Sequence, residues 1–438
     1  MDWPLAILAM FGILVVFMAT GMPIAFAFMI TCVIGSVLFW GGMAGVDQLA
    51  MSVYSAVASW VLLPVPLFIL MGNVIFESGV GMKMVDATDK LLGRLPGRLS
   101  ILAIGAGTLL GTMMGISGGS IAILGRSLVP EMTKRGYHKS MSVGPIVASG
   151  TLAVLIPPSA LAVILGAIGR VSVGRLLISI IVPGLLLAVL FCIYIIIRCM
   201  LKPSLAPSYD VGHVSVMEKI NVTLRYILPL AIVIFAAIGV VFVGIATPSE
   251  AAALGAIACF ILAALYKKLN ISVVKTAAIG AVEIMVLVLM IVVGSISFSR
   301  ILASSGAIAG LVNLATSLTV PPIVIIILIQ VIVVFLGCFM DPPSIVMVAA
   351  PMFMPVVQAL GFDTLWFATI MLINIQLGCI TPPFGLDCYT MKALAPPDVS
   401  LGDVFRYSMP FCGIGYLVMA LIMIFPALAL WLPNLMSR

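Results

Sequence analysis

The stretch Gly337-Cys-Phe-Met-Asp341-Pro342-Pro343-Ser344 interrupts an apolar run that begins at Ile323. A carboxylate at membrane depth is costly, so it usually faces protein or a water-filled cavity. Two prolines break a helix and leave carbonyl oxygens in need of partners. Carboxylate, hydroxyl and carbonyl oxygens are the ligands of hard cations. The stretch therefore predicts an ion site inside a membrane segment.

The composition of the whole chain is that of a polytopic membrane protein. Its 438 residues are 63% hydrophobic and 8% charged, with a mean hydropathy of +1.33, whereas soluble domains carry about 25% charged residues. The net charge of +6 is no argument for nucleic acid, because basic residues of membrane proteins mainly mark the cytoplasmic side. We expect no nucleic-acid partner, and the lipid bilayer is the first partner that the composition implies.

Many residues recur after an offset of about 225 positions, which predicts two homologous halves. Pro23 corresponds to Pro248, and the pair Pro157-Pro158 corresponds to Pro382-Pro383. Prolines are common in this chain, so single matches can arise by chance, but a shared offset along the chain cannot. After one insertion of three residues, Val171-Ser172-x-Gly174 also matches Val399-Ser400-x-Gly402.

Charge predicts that the two halves have opposite orientations. The loop 81–98 has four basic residues and its counterpart 306–323 has none, while 41–50 has none and its counterpart 266–275 has three. Since basic loops stay on the cytoplasmic side, each basic loop with a non-basic counterpart indicates an inverted repeat. Arg170 and Arg175 fall outside, against this rule.

The fold class that follows is an all-α membrane protein whose halves each have five crossings and one re-entrant hairpin. The hairpins are predicted at 98–132 and 323–354, because each limb is shorter than the roughly 20 residues that a span needs. The remaining crossings are predicted at 4–20, 22–41, 50–77, 141–169, 176–198, 228–246, 248–265, 276–302, 365–394 and 407–431. Both termini are then on the non-cytoplasmic side.

Each half places a hairpin tip and a helix break in the same order, and we interpret these as two related sites. Broken helices expose carbonyls and helix ends near the bilayer midplane, where inverted-repeat transporters bind substrate and ions. Glycines that pack helices and prolines that only kink them are the structural alternative. The tips are 115–120 and 337–344, and the breaks are 149–159 and 374–383.

Four other charged residues in apolar surroundings leave alternatives open. Glu283 could be functional or reach the interface, and Asp387 could be functional or pair with Lys392. Arg300 could bind a carboxylate through its guanidinium or extend to the outer interface. Glu250 lies in Thr247-Pro-Ser-Glu250, which predicts a helix-capping box instead.

Enzymatic chemistry has little support in the sequence. The stretch from Ser120 to Ser127 matches a phosphate-binding loop only loosely, since the first glycine and the lysine are missing, so we expect no ATP hydrolysis. His138 and His213 lie in loops without a second ligand nearby, which argues against zinc. No catalytic residue is predicted.

At this point the sequence resembles the large membrane subunit of the tripartite ATP-independent periplasmic (TRAP) transporters. The features that carry the resemblance are the Gly-rich segment from Gly111 to Gly125, the tip Asp341-Pro-Pro-Ser344, both Pro-Pro breaks and Arg300. The resemblance covers about residues 5–430. It implies a sodium-coupled elevator-type secondary transporter of the bacterial inner membrane, with organic acids such as C4-dicarboxylates, keto acids, sugar acids or sialic acid as substrates.

The resemblance also implies roles for individual residues. Two or more sodium ions would bind between each tip and its break, and the anion would bind between the tips, near Arg300 and the four prolines of the breaks. The implied sodium ligands are Ser117, Gly118, Ser120, Ser149, Gly150 and Thr151 in the first half, and Gly337, Asp341, Ser344, Gly378 and Thr381 in the second; the implied substrate residues are Arg300, Pro157, Pro158, Pro382 and Pro383.

Domains and partners follow from the same resemblance. A scaffold would comprise 1–97 and 227–322, a transport domain 98–198 and 323–431, and a cytoplasmic linker 199–226. The partners would be a small four-helix membrane subunit on a separate chain and a periplasmic substrate-binding protein. A channel or exporter component that works without a binding protein is the alternative, and it predicts ion current through the breaks.

Overall fold

The computed structural model describes residues 2–91, 95–114, 117–207, 215–337, 340–383 and 385–436. These residues form 22 α-helices and no β-strand. Four residues of the predicted hairpin tips, Gly115, Ile116, Cys338 and Phe339, lie outside this description. The expectation of an all-helical fold is confirmed.

The helices of the first half are α1 (Trp3–Ala19), α2 (Ile24–Phe39), α3 (Met43–Val57), α4 (Pro64–Glu77), α5 (Val80–Leu91), α6 (Arg98–Met114), α7 (Ser117–Lys134), α8 (Lys139–Leu155), α9 (Ala160–Gly169), α10 (Val173–Ser179) and α11 (Ile181–Leu201). Those of the second half are α12 (Val216–Val222), α13 (Leu228–Phe242), α14 (Pro248–Leu265), α15 (Ile271–Ser304), α16 (Ala307–Ser317), α17 (Pro322–Gly337), α18 (Pro342–Ala359), α19 (Thr364–Gly378), α20 (Leu386–Lys392), α21 (Leu401–Ile424) and α22 (Ala427–Asn434).

Several helices are long and apolar enough to cross a membrane. There are seven among the described residues, or eight if α8 and α9, which are bent by 46° at their break, count as one span. The predicted crossings 4–20 and 22–41 correspond to α1 and α2, which have 17 and 16 residues. Large apolar side chains such as Phe235 and Ile245 are 77% exposed, as expected of a surface that contacts lipid tails.

Three predicted segments have different bounds in the structure. The crossing predicted at 50–77 is two helices, α3 and α4, because Pro64 begins a new helix after the turn 60–62. The crossing predicted at 228–246 begins earlier, since α12 and the π-helical turn 223–227 run into α13 as one apolar helix from Met217 to Phe242. The last crossing, 407–431, is divided between α21 and α22 near Pro426.

Helix starts follow local capping chemistry. The Thr247 side chain accepts a hydrogen bond from the Glu250 N–H, and the Glu250 carboxylate accepts one from the Thr247 N–H at 2.8 Å. The expected capping box is therefore confirmed, and Glu250 is used to begin α14. Asp363 begins α19 in a similar way, accepting from the N–H groups of Leu365 and Trp366.

The predicted hairpins and breaks lie at the centre of the packing. The limbs α6 and α7 contact each other and both pack on α8, while α17 and α18 both pack on α19. Along its 34 residues, α15 contacts α2, α3 and α4 and also the hairpin helix α18. The region where α15 meets α18 is called the seam below.

Candidate ion and substrate site

A cavity of about 510 Å³ lies where the two predicted hairpin tips meet. Its size is within the range of small-molecule sites, about 300–1,000 Å³. The first tip contributes Ser117 and Gly118, and the second contributes Asp341 and Pro342. Most of the remaining wall is apolar, and both α9 and α15 contribute to it. The cavity therefore joins both tips in a single chamber.

The first tip is hydrogen-bonded to a carboxylate of the other half. The Ser117 hydroxyl donates to Asp387 Oδ1 at 2.7 Å, and Gln376 Nε2 donates to Asp387 Oδ2 at 3.2 Å. Asp387 is only 3% exposed, and Gln376 is fully buried. Both residues line the cavity. A buried carboxylate held by two donors is well ordered, because hydrogen bonds to charged groups are strong.

Local backbone geometry brings Asp387 to this position. Gly385 has φ +44°, in the left-handed region that favours glycine, and a Cβ there would lie 2.5 Å from the Phe405 ring. The turn lets α20 begin at Leu386, and the Asp387 N–H donates to the Cys379 carbonyl at 3.1 Å. The chain thereby returns after the second break and places Asp387 against the first tip.

The second tip carries its own carboxylate. Asp341 precedes α18, and its Oδ1 accepts from the Ser344 hydroxyl at 2.6 Å. Pro342 and Pro343 have no N–H group, and the Asp341 side chain makes no capping hydrogen bond to the helix. The carboxylate is therefore held at the cavity by a serine, as Asp387 is at the other tip.

A third carboxylate makes the cavity acidic. Glu283 lines it from α15, and no hydrogen bond or ion pair joins this side chain to the part of the chain that the structure describes. The described lining contains no Lys, Arg or His. Among the described residues, the acidic side chains do not converge on one metal-binding cluster of three. The chamber thus offers separated oxygen ligands in a negative environment.

In the first half, the predicted tip and break are in contact. A Cβ added to Gly150 would lie 3.3 Å from Ser117 Cβ and 2.7 Å from Ile121 Cδ1. The Ser120 hydroxyl donates to the Ser117 carbonyl at 2.9 Å. The hydroxyls of Ser149 and Thr151 donate to carbonyls of their own helix, Ile146 and Ala148, at 2.7 Å. Their oxygens keep lone pairs, but neither residue belongs to the described lining of the cavity.

In the second half, tip and break approach through glycines. A Cβ on Gly378 would lie 3.0 Å from Gly337 Cα. The Thr381 hydroxyl donates to the Leu377 carbonyl at 2.8 Å and lies 3.3 Å from Cys412 Sγ. Ser344 is fully buried beside Asp341. The structure thus brings Gly337 and Gly378 together, while Thr381 faces α21.

The predicted substrate residues are outside the described wall of this cavity. Pro157 and Pro158 are buried, whereas Pro382 and Pro383 are exposed. Arg300 Nη1 donates to the Ser52 hydroxyl at 2.7 Å, so its guanidinium lies against α3. Binding of substrate by these five residues stays a prediction.

Sequence reasoning missed the main polar contact of the site. The pairing of Asp387 with Lys392 is wrong: Lys392 Nζ donates to the Val399 carbonyl at 2.5 Å, and Asp387 bonds Ser117 and Gln376. Residues five apart lie on different faces of a helix, which disfavours that pair. Gln376 was not identified as a site residue, although an amide in the apolar helix α19 was a signal that could have marked it.

Similar solved structures support the fold. The YdaH transporter of Alcanivorax borkumensis has a TM-score of 0.61 and 17% identity, with 90% of each chain covered. The MtrF structure of Neisseria gonorrhoeae has a TM-score of 0.64 and 13% identity, covering 87% of this chain and 83% of that one. At such identities the likeness concerns the fold alone, which is that of a membrane transporter.

Relatives in sequence match over nearly the full length. The uncharacterized protein YgiK of Salmonella typhimurium is 30% identical, with 98% of both chains covered. The C4-dicarboxylate TRAP transporter large permease protein DctM of Pseudomonas aeruginosa is 28% identical, with 89% and 90% covered. The sialic acid TRAP transporter large permease protein SiaM of Vibrio cholerae is 26% identical, with 95% of both chains covered.

A family model described as the tripartite ATP-independent periplasmic transporter, DctM component, matches residues 11–428. The match includes both hairpins, both breaks and every residue of the cavity described above. The chain therefore belongs to the DctM component family of the tripartite ATP-independent periplasmic transporters and is a transporter permease, not an enzyme.

Proposed function

We propose that the chain carries out sodium-coupled uptake of an organic acid anion, such as a C4-dicarboxylate or sialic acid. The observation that carries sodium coupling is the charge of the cavity: three carboxylates and no basic side chain in its described lining. An organic anion entering this chamber alone would be repelled, and its own charge would be desolvated. Bound cations remove both costs.

Coupling follows from the same charges. Sodium bound to the carboxylate, hydroxyl and carbonyl oxygens of the tips supplies the positive charge that the anion needs. Because linkage is reciprocal, the anion then strengthens sodium binding by the same factor. A gradient of sodium can in this way drive accumulation of the anion without ATP.

The proposed sodium sites are the tip-and-break pairs. The first comprises Ser117, Gly118, Ser120, Ser149, Gly150 and Thr151, to which we add Asp387 because it is hydrogen-bonded to Ser117; the second comprises Gly337, Asp341, Ser344, Gly378 and Thr381. Contact between Gly150 and Ser117, and between Gly378 and Gly337, supports these pairs. A carboxylate at each tip supports two ions of similar environment.

We further propose an inverted repeat that works as an elevator. Helices α7 and α18 begin 225 residues apart, at Ser117 and Pro342, as do α8 and α19, at Lys139 and Thr364. The seam along α15 supports a scaffold of 1–97 and 227–322 and a mobile transport domain of 98–198 and 323–431. The segment 199–226 would link the halves on the cytoplasmic side.

The proposed partners are a periplasmic substrate-binding protein and a small membrane subunit of about four helices on a separate chain. The word tripartite in the family description supports three components. We place the complex in a bacterial inner membrane, with both termini on the periplasmic side. The binding protein would choose the acid, since the apolar cavity walls contain little that distinguishes one carboxylate from another.

Reconstitution tests the proposal. The permease and small subunit are placed in proteoliposomes, and the binding protein is loaded with the acid that stabilises it best among succinate, a keto acid, a sugar acid and N-acetylneuraminate. We expect uptake with an inward sodium gradient and none with potassium alone. Equal uptake in potassium would overturn sodium coupling, and ion current without the binding protein would favour the channel alternative.

A further inference from the structure

A second cavity, of about 320 Å³, lies on the same seam as the carboxylate cavity. It is lined by Arg170 at the end of α9, Ser299 and Ala303 of α15, and Gln358 of α18. Each of these helices also lines the first cavity at an earlier turn. From Val288 to Ser299 the separation along α15 is about 16 Å. The two cavities therefore lie one after the other between the same three helices.

The charge of the second cavity is opposite to that of the first. Arg170 is the only ionisable residue in its described lining, beside the polar side chains of Ser299, Gln358 and Thr364. No hydrogen bond or ion pair joins the guanidinium to any described residue. The nearest carboxylate in sequence to this wall, Asp363, is used to cap α19. The guanidinium is exposed at the edge of this polar cavity, and it can donate two N–H groups to a carboxylate bidentately.

The backbone of Arg170 is the second observation. It has φ +54° and ψ +36°, the left-handed conformation in which glycine is the usual helix-ending residue. A residue with a Cβ is less stable there by about 1–2 kcal/mol. Such an outlier beside a cavity suggests a functional reason for the side chain. Arg170 also violates the expected charge distribution, because its loop falls on the non-cytoplasmic side in the predicted topology.

We propose that Arg170 forms an outer binding site for the carboxylate group of the transported acid, separate from the sodium-dependent cavity. The site would hold the acid before it reaches the three carboxylates, and it needs no sodium because its positive charge is built in. Thr364 and Ser299 supply hydroxyls, and Gln358 an amide, on the walls around the guanidinium. The assignment of the ligand as substrate rests on the proposed function; the binding of a carboxylate does not.

The test measures protection of single arginines in the full chain. Protein in a neutral detergent and potassium buffer is treated with p-hydroxyphenylglyoxal, and peptide mass spectrometry follows Arg170 and Arg175. Arg175 is the internal control because it is also exposed, lies in the first turn of α10 and donates to Asn434 Oδ1 at 3.0 Å. We expect succinate to slow modification of Arg170 at least about threefold relative to chloride of equal ionic strength, with Arg175 unchanged.

Equal protection of both arginines, or protection by chloride alone, would overturn the site. Protection by phosphatidylglycerol nanodiscs but not by succinate would make it a lipid-phosphate site and also overturn the proposal. Protection that requires sodium would place succinate in the inner cavity instead. These results stand whether or not sodium drives uptake, so failure of the proposed function would be visible separately in proteoliposomes.

Variants connect the site to transport. Arg170→Gly removes the guanidinium and suits the left-handed backbone, so the protein should fold normally. It should raise the half-saturating concentration of loaded binding protein about 10-fold or more, by the loss of a charge-assisted hydrogen-bond pair. Arg170→Lys should lose less, because the charge stays while bidentate contact is lost. An unchanged half-saturating concentration in Arg170→Gly would show that the Arg170 site is not on the transport path.

Discussion

At each hairpin tip a serine hydroxyl is bonded to a carboxylate, but the two carboxylates come from different parts of the chain. At the second tip, Asp341 and Ser344 are three residues apart and bond within one helix start. At the first tip, Ser117 reaches across 270 residues to Asp387 of the other half. In the sequence repeat Ile116 aligns with Asp341, so the first tip has no carboxylate of its own. The structure gives each tip a serine and a carboxylate.

This difference indicates how the two proposed ion sites can communicate. A change at Asp341 acts first on its own helix start. A change at Asp387 acts at once on the first tip, the second break and Gln376 of α19. The cross-half bond therefore connects elements that belong to both halves of the proposed transport domain, and it provides a physical route by which occupancy of one tip affects the other.

Neutralising Asp387 should have the largest effect. In Asp387→Asn the first tip loses its negative charge, and we expect sodium activation of uptake to weaken about 10- to 100-fold, since an interaction with a charged group contributes about 1.5–3 kcal/mol. Sodium titration of uptake in proteoliposomes measures this shift. Glu283→Gln is the matched control: it removes a charge from the same cavity but no hydrogen bond, and should shift activation less. Equal shifts in the two variants would contradict a special role of the first tip.

The sequence predicts the positions of the tips and breaks because neighbouring residues determine them. Proline, glycine and an isolated charge marked both tips and both breaks, and α7, α18 and α19 begin or end at those positions. The partner of Ser117 could not be read, because nothing local relates it to Asp387. The division of 50–77 into α3 and α4 was likewise missed, since both pieces are apolar and only Pro64 separates them.

Double-mutant cycles would sharpen the comparison of the tips. Ser117→Ala with Asp387→Asn should show a coupling energy of about 1–3 kcal/mol in unfolding or sodium binding, as expected for groups in direct contact. Ser344→Ala with Asp341→Asn should behave similarly. The crossed pair Ser117→Ala with Asp341→Asn should be nearly additive. Coupling in the crossed pair as large as in the direct pairs would show that the tips form one site and not two.

Alanine substitutions at the two glycine contacts behind the tips should differ in their effect on the stability of the protein. A methyl group on Gly378 meets the Gly337 backbone at 3.0–3.4 Å, which cannot move independently. A methyl on Gly150 meets mainly the end of the flexible Ile121 side chain, and alanine also favours a helix by up to about 1 kcal/mol. We expect Gly378→Ala to destabilise by about 1–3 kcal/mol and Gly150→Ala to be closer to neutral. Thermal unfolding in detergent measures both, and the reverse order would contradict this packing.

The smallest effect is expected at an exposed contact that also joins the halves. Lys139, the first residue of α8, donates to Asp398 in the loop after α20, and this hydrogen bond holds the pKa of the Asp398 carboxyl below its ordinary value. A carboxyl whose pKa is lowered by folding stabilises the folded state at pH values above its ordinary pKa. This stabilisation is lost as the pH falls through the lowered pKa. Asp398→Asn should therefore lower the apparent unfolding temperature slightly at neutral pH, by about 1 °C or less, with no difference once the pH is below the lowered pKa of Asp398.

High salt should remove that small difference as well, because the side chains of Lys139 and Asp398 are 40% and 65% exposed and such pairs are screened at about 1 M ionic strength. The buried bond between Ser117 and Asp387 should resist the same salt. Measuring both variants at low and high potassium chloride separates the two cross-half contacts. If salt abolished the effect of Ser117→Ala as completely as that of Asp398→Asn, the bond between Ser117 and Asp387 would be exposed to solvent. It could then not be the buried contact through which the two proposed ion sites affect each other.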